Sequence, residues 1–259
     1  AGYEVDLQYA GDNDIPTQVN QIENMINNGC KVIVVASIDG TALGTVMEQA
    51  KEAGIPVIAY DRLIMNTDGV TYYATFDNWL VGVTQGKFIE EKLDLANAKA
   101  NGKTYNIEYI TGDPGDNNIN YFFDGAMSVL EGYVADGVLV TPSKQVATGD
   151  SKSGYDKATV ATTNWATDAA QSRFENILST YYADKNLDAV LASNDSTAMG
   201  VINALKSSYK GTNPVITGQD CDLPNVPYIA DGTQGMAVFK DTRTLAGQVV
   251  KMVDAILKG

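Results

Sequence analysis

AVLASNDSTAMGVINAL, residues 189–205, runs from an unbroken apolar stretch through Ser193-Asn194-Asp195 into an amphipathic helical pattern. A short apolar run with no polar face reads as a strand covered on both sides, and a strand that passes through a polar turn into a helix is half of a βαβ unit. Four other runs end the same way, in hydrogen-bonding side chains: VIAYDR (57–62), NIEYITGDPGDNN (106–118), PVITGQD (214–220) and GMAVFKD (235–241). A parallel sheet points the carboxyl ends of its strands at one crevice, where ligands of open α/β folds bind. These endings predict Asp61, Arg62, Asn118, Asn194, Asp220 and Lys240 there. Carboxylates accept from hydroxyls, Arg and Lys donate to them, and Asn amides do both, so the set suits a polyhydroxylated small molecule.

Apolar runs alternate with amphipathic stretches along the rest of the chain, which predicts α/β architecture with parallel sheets. EVDLQYA (4–10) reads as a strand, followed by a helix that Asp14 caps, with Pro16 in its first turn and Val19, Ile22 and Ile26 on its apolar side. KVIVVAS (31–37) is a strand too apolar to have a wet face; a helix over 41–53 follows and closes on Gly54. VIAYDR and VTYYATFDN (70–78) are two more strands, and a helix over 79–95 ends the first group. NGKTYN (101–106) is a polar joint. The alternation then restarts: strand 106–111, helix 118–135, strand 138–146, helix 167–183, strand 188–192, helix 196–208, strand 214–218. GDSKSGYDKATVATTN (149–164) has neither period and reads as a loop. Two successive sets predict two similar doubly wound lobes joined by a hinge: residues 1–102 with 236–259, and residues 103–235. The chain opens at Ala1-Gly2, like a helix end, and stops at Lys258-Gly259, like a helix terminus. Because the first strand of a doubly wound sheet sits near its middle, a further upstream strand–helix unit and a C-terminal tail are expected.

The net charge of −14 would repel phosphate backbones, which argues against nucleic acid as a partner. No stretch approaches the roughly 18 apolar residues of a membrane span. With no histidine, and with Cys30 and Cys221 far apart and outside any zinc spacing, no metal, redox or nucleophilic centre is expected, and no cofactor. Both cysteines are expected as free, buried thiols.

Each polar ending has a second, structural meaning. Asp61-Arg62 reads also as a surface ion pair, and Asn118 beside Asn117 as a helix cap. In Ser193-Asn194-Asp195 one residue caps the following helix; the reading gives the cap to Asp195 and the ligand to Asn194. Asp222 is a cap for the LPNV helix start, leaving Asp220 for the ligand, while Lys240 also serves to neutralise acids around it. Trp165 lies in a polar segment, where an aromatic serves as a stacking platform or as core. Tyr121, Phe122 and Phe123 form an aromatic run with one or two members in the core and one facing the ligand.

DNDIPTQVNQIENMINNGCKVIVVASIDGTAL, VIAYDRLI, YYATFDN, GDPGDNNINYFFDGAM, SNDSTAMG, TGQDCDLP and VFKDTRTLA, in this order over nearly the whole chain, resemble the monosaccharide-binding proteins of bacterial ABC import systems, in particular the multiple-sugar, glucose/galactose and xylose class. The resemblance implies a type I periplasmic binding protein: two α/β lobes with a three-strand hinge that close over a sugar. It implies Asp61 and Arg62 as the first lobe's grip on ring hydroxyls, Asp116, Asn118, Asn194 and Asp220 as the second lobe's contacts, Lys240 where the chain has crossed back, and Trp165 as the aromatic that stacks on a pyranose. It implies glucose, galactose, xylose or arabinose as ligand, ABC importer membrane subunits and a chemoreceptor or sensor kinase as partners, and a periplasmic or extracellular location, lipid-anchored in a Gram-positive cell. The family's first-strand aromatic platform and charged contact have no counterpart in these residues. Two other functions are weighed against a receptor without catalysis. A carbohydrate-processing enzyme would use paired carboxylates such as Asp61 and Asp220, and no motif singles out an acid with a raised pKa. An effector domain of a transcription regulator would follow a basic helix-turn-helix segment, and the acidic charge of these residues is wrong for DNA.

Overall fold

Helices alternate with parallel strands along the chain of the computed structural model, which describes residues 2–11, 13–145 and 157–259. In chain order these are α1 (Ile15–Asn27), β1 (Ile33–Val35), α2 (Gly44–Glu52), β2 (Val57–Tyr60), β3 (Tyr72–Ala74), α3 (Asn78–Lys92), α4 (Leu95–Ala100), β4 (Tyr105–Ile110), α5 (Asn118–Ala135), β5 (Leu139–Val140), α6 (Lys157–Val160), α7 (Thr167–Tyr181), β6 (Ala189–Ala192), α8 (Asp195–Ser208), β7 (Val215–Ile216), α9 (Val226–Ala230) and α10 (Thr242–Lys258). Contacts divide the chain into two units.

The first unit comprises Ala1–Phe76, Gly115–Asn118 and Asp241–Gly259. Its sheet is β1-β2-β3, all parallel. Asp14 caps α1 by accepting from Thr17 N, and Ile22, with Val19 and Ile26 beside it, joins Ile33, Val35, Met47 and Val57 in one core. α10 covers the other face: Leu245 and Val249 pack with Ile58 and Ala74. Gly54 follows the end of α2 with φ +69°, the left-handed turn expected of a helix stop.

The second unit comprises Asp77–Pro114 and Ile119–Lys240. Its four parallel strands run in the order β5-β4-β6-β7, so the strand that enters first lies inside the sheet, as in a doubly wound fold. Ile107 and Tyr109 of β4 face a core with Phe123, Met127 and Leu130 of α5. Ile110 and Val190 share a second core with Phe174 of α7 and Val201 of α8. Glycines let α3 and α5 touch: a Cβ on Gly82 would lie 2.0 Å from Phe122 O, and one on Gly125 2.3 Å from Trp79 O.

Several expected elements come out differently. Residues 4–10 form no strand; Val5, Leu7 and Tyr9 are 78%, 89% and 80% exposed, because no strand pairs beside them. The run 235–241 is not a strand either: it makes one parallel bridge, Gln219 with Val238, before the chain turns outward at Phe239. β1 does have a wet side, since Val34 points away from both cores and is 41% exposed. The helix expected over 79–95 stops at Lys92, and α4 follows after Asp94 in left-handed backbone. β5 ends at Val140, short of the expected strand 138–146. Of the expected loop 149–164, residues 149–156 lie outside the described residues, and the rest holds α6 and a 3-10 turn, Thr163–Trp165. The units are also partitioned otherwise than the expected lobes. Residues 77–102 pack with the second sheet, where Gln85 of α3 donates to Ser193 O and Gly218 O, and Gly115–Asn118 packs with the first.

Candidate functional site

In the first unit, the end of β2 carries Asp61 and Arg62. The Asp61 backbone is left-handed, φ +61°, a conformation an Asp tolerates when its surroundings hold it. Three donors do so: Tyr73 OH, Thr75 Oγ1 and Asn118 Nδ2 all reach the Asp61 carbonyl, at 3.0, 3.0 and 3.1 Å. Arg62 lies across to the end of β1, its Nη1 donating to Ile38 O at 3.2 Å. Its Nε faces Asp116 Oδ2 at 3.0 Å, and the Asp116 side chain is 5% exposed. Asp116 Oδ1 accepts from Asn118 N at the start of α5. Asp61, Arg62, Asp116 and Asn118 are thus one hydrogen-bonded set. Asn118 is 1% exposed, with Oδ1 accepting from Tyr73 OH and Nδ2 on Asp61 O. The geometry makes it a support for Asp61 first.

In the second unit the order β5-β4-β6-β7 places the switch between the β4→β5 and β5→β6 crossovers at the carboxyl ends of β4 and β6. That is where a doubly wound sheet opens to a ligand. β4 leads to Gly112, over which the Trp165 ring lies so closely that a Cβ would meet its carbons at 2.0–2.1 Å. Asn164 and Trp165 both have positive φ, +59° and +56°; Asp113 Oδ2 accepts from Asn164 N and so holds the turn. Phe122 meets the indole edge-on, ring centroids 6.3 Å apart, and Lys240 Nζ lies 5.4 Å from the Phe122 ring. Lys240 Nζ also pairs with Asp220 Oδ1 at 3.2 Å. Trp165, Phe122, Lys240 and Asp220 are therefore contiguous, an aromatic floor beside an ion pair. Of the expected aromatic run, Phe122 and Phe123 are buried and Tyr121 is exposed.

β6 ends at Ala192, two residues before Asn194, and here the helix cap is not the residue expected. Asn194 is the cap of α8: its Oδ1 accepts from Thr197 N at 3.0 Å, and Thr197 Oγ1 returns to the Asn194 backbone. Extended backbone at Asn194 suits a cap, whereas Asp195 already sits in the first helical turn, fully buried. Nor does Asp222 cap α9, whose cap position is Asn225; Asp222 is exposed. Partial burial of its carboxyl, with Asp220 alongside, raises the Asp222 pKa. Cys30 and Cys221 are free thiols, both half-exposed where burial was expected. Burial and the surrounding Asp195, Asp220 and Asp222 push the Cys221 thiol up, so it holds its proton.

Sequence reading missed Tyr73, whose hydroxyl ties Asp61 to Asn118, and Gln85, which ties the ends of β6 and β7 together. Gln85 had a signal: it stands four residues after Val81 and four before Ile89, on the buried side of α3. Tyr73 had none, because a strand tyrosine at a half-buried position is ordinary.

A model of the periplasmic binding protein domain matches residues 1–259. The chain is 48% identical over 263 aligned positions to the multiple sugar-binding periplasmic receptor ChvE of Rhizobium radiobacter, covering 100% of this chain and 71% of that protein. It is 36% identical over 252 positions to the D-xylose-binding periplasmic protein of Escherichia coli, covering 97% of this chain and 68% of that one. An ABC transporter solute binding protein from Clostridium phytofermentans, crystallised with bound β-D-glucose, superposes with a TM-score of 0.92 at 61% identity, over 100% of this chain and 76% of that one. Matched from its first residue to its last, the chain belongs to the periplasmic binding protein domain family.

Proposed function

We propose that this chain is a monosaccharide receptor that serves an ABC importer, with Asp61, Arg62, Asp116 and Asn118 of the first unit and Trp165, Asn194, Asp220 and Lys240 of the second as its ligand set. The observation that carries the reading is the aromatic floor beside the Asp220–Lys240 pair in the second unit. A pyranose has an apolar face for an indole and a rim of hydroxyls for charged partners, and hydrogen bonds to charged groups are about twice as strong as neutral ones. The Asp61 carboxylate supports the same reading: among the described residues it has no ion-pair or hydrogen-bond partner, while its backbone is fixed by three donors.

D-glucose is the proposed ligand, since the 61% identical solute binding protein holds it; galactose, xylose and arabinose are its competitors. The proposed location is outside the cytoplasmic membrane, and the proposed partners are the importer's membrane subunits, with a chemoreceptor or sensor kinase as a further reader of the bound state. A receptor gains stability from its ligand as RT ln(1 + [L]/Kd), about 2.7 kcal/mol at one hundred times Kd. A thermal-shift panel of monosaccharides is expected to give a dose-dependent rise in Tm with one or two of them. A flat panel would contradict the proposal, as would release of free sugar from simple glycosides in proportion to protein.

A further inference from the structure

A fully buried carboxylate of the second unit lies outside the proposed ligand set. Asp195 is fully buried, and it holds the chain on both sides of Asp220. Its N–H donates to Gln219 O at 3.0 Å, and its Oδ2 accepts from Asp222 N at 2.9 Å. Its Oδ1 accepts from Gln234 Nε2 at 2.7 Å. Asn225 Nδ2 closes the network, donating to Asp195 O at 2.8 Å and Gln234 Oε1 at 2.7 Å. Between the two grips Asp220 and Cys221 take φ of +94° and +58°, left-handed values that a non-glycine residue keeps only when its surroundings over-determine them. Gly218 belongs to the same fitting, because a Cβ there would lie 2.3 Å from both Asp195 Oδ1 and Gln234 Nε2.

We propose that Asp195 is the positioning residue of sugar recognition: it fixes the left-handed loop that aims Asp220, and with it Lys240, at the ligand. This rests on the receptor reading above. Both carboxylate oxygens accept in this network, which an ionised carboxylate satisfies in full. Asn225 engages the Gln234 carbonyl, so the Gln234 amide must point at Asp195, while the Asp222 N–H points at the other oxygen. An amide in place of the carboxylate sets a donor against one of these donors, and protonation of the carboxylate weakens one of its two oxygens as an acceptor. Burial raises the Asp195 carboxyl to about 6, with Asp220 and Asp222 adding to the shift. The Cys221 thiol, itself raised, and the Lys240 ammonium paired with Asp220 are the other ionisable groups at this corner. The loop is therefore expected to loosen within the range from pH 7 to 5.

The test is calorimetric titration with D-glucose and the other panel sugars into wild type, Asp195→Asn, Asp220→Asn and the double variant, at pH 7.5 and pH 5.0. Asp195→Asn is expected to weaken binding by about tenfold or more at pH 7.5 with an unchanged circular dichroism spectrum, and by less than about twofold when Asp220 is already Asn. Wild-type affinity is expected to fall severalfold at pH 5.0, while that of Asp195→Asn stays level. Equal affinity of Asp195→Asn and wild type would overturn the inference, as would a loss of equal size with and without Asp220. Should Asp195→Asn fail to fold, the wild-type pH profile decides, and a flat one overturns it. A wild type that binds no sugar overturns the receptor reading and this inference together; a binding wild type beside an indifferent variant overturns the inference alone.

Discussion

At the scale of single residues, the ends of strands serve two masters: they face a ligand, and they must satisfy the backbone of the helix that follows. Asn194 and Asp195 divide these tasks by position, since only the residue before the first helical turn has the extended backbone a cap needs. The sequence shows that one of the two caps; which one depends on where the helix begins, a matter of a single residue that periodicity does not resolve. Arg62 shows the same double duty, because its partner Asp116 is buried. Arg62→Ala removes a proposed ligand contact and also takes the ion-pair partner from that buried carboxylate, so it is expected to lower unliganded stability by about 1–3 kcal/mol in urea unfolding as well as abolish any sugar-induced shift. Asp195 gives a pH dependence of stability whose sign is fixed by its raised carboxyl. The folded protein holds that proton in the window between the ordinary value of 3.8 and about 6, so the contribution of this group to stability falls as pH rises through the window. Carboxyl-carbon NMR is expected to show a midpoint near 6 for Asp195; a midpoint near 4 would contradict the burial argument.

At the scale of elements, legibility followed burial. Long helices with one apolar face read true: α5 spans the residues expected, and α1 is capped by the residue named for it. Runs whose fate depends on a neighbour did not. EVDLQYA alternates as a half-buried strand should, yet no ladder forms beside it among the described residues, and GMAVFKD has a strand's composition but one bridge. A single chain's pattern says that a segment is able to pair, not that a partner lies next to it. The close crossing of α3 on α5 was likewise invisible, since a glycine's absent side chain leaves no periodic mark. Gly82→Ala would press a methyl group onto Phe122 O, and overpacking of this kind costs about 1–3 kcal/mol. Its midpoint of urea unfolding is expected to fall with an unchanged m-value; a neutral Gly82→Ala would mean that the two helices separate freely.

At the scale of the whole molecule, two α/β units were legible from the restart of the strand–helix alternation after residue 102, but their membership was not. Gly115–Asn118 lies inside the second group by sequence and packs with the first unit, because Asp116 is paired with Arg62 and Asn118 with the Asp61 backbone. Side-chain partners, not periodicity, decide such short segments. The same pairing ties one half of the proposed ligand set into a single network, while Trp165, Phe122, Lys240 and Asp220 form another in the second unit. The central claim is that these sets bind one monosaccharide, and calorimetric titration of D-glucose into wild type and Asp220→Ala tests it most directly. Saturable one-to-one binding by wild type, lost in a folded Asp220→Ala, is the predicted result; equal binding by both proteins, or none by wild type to any monosaccharide of the panel, would contradict it.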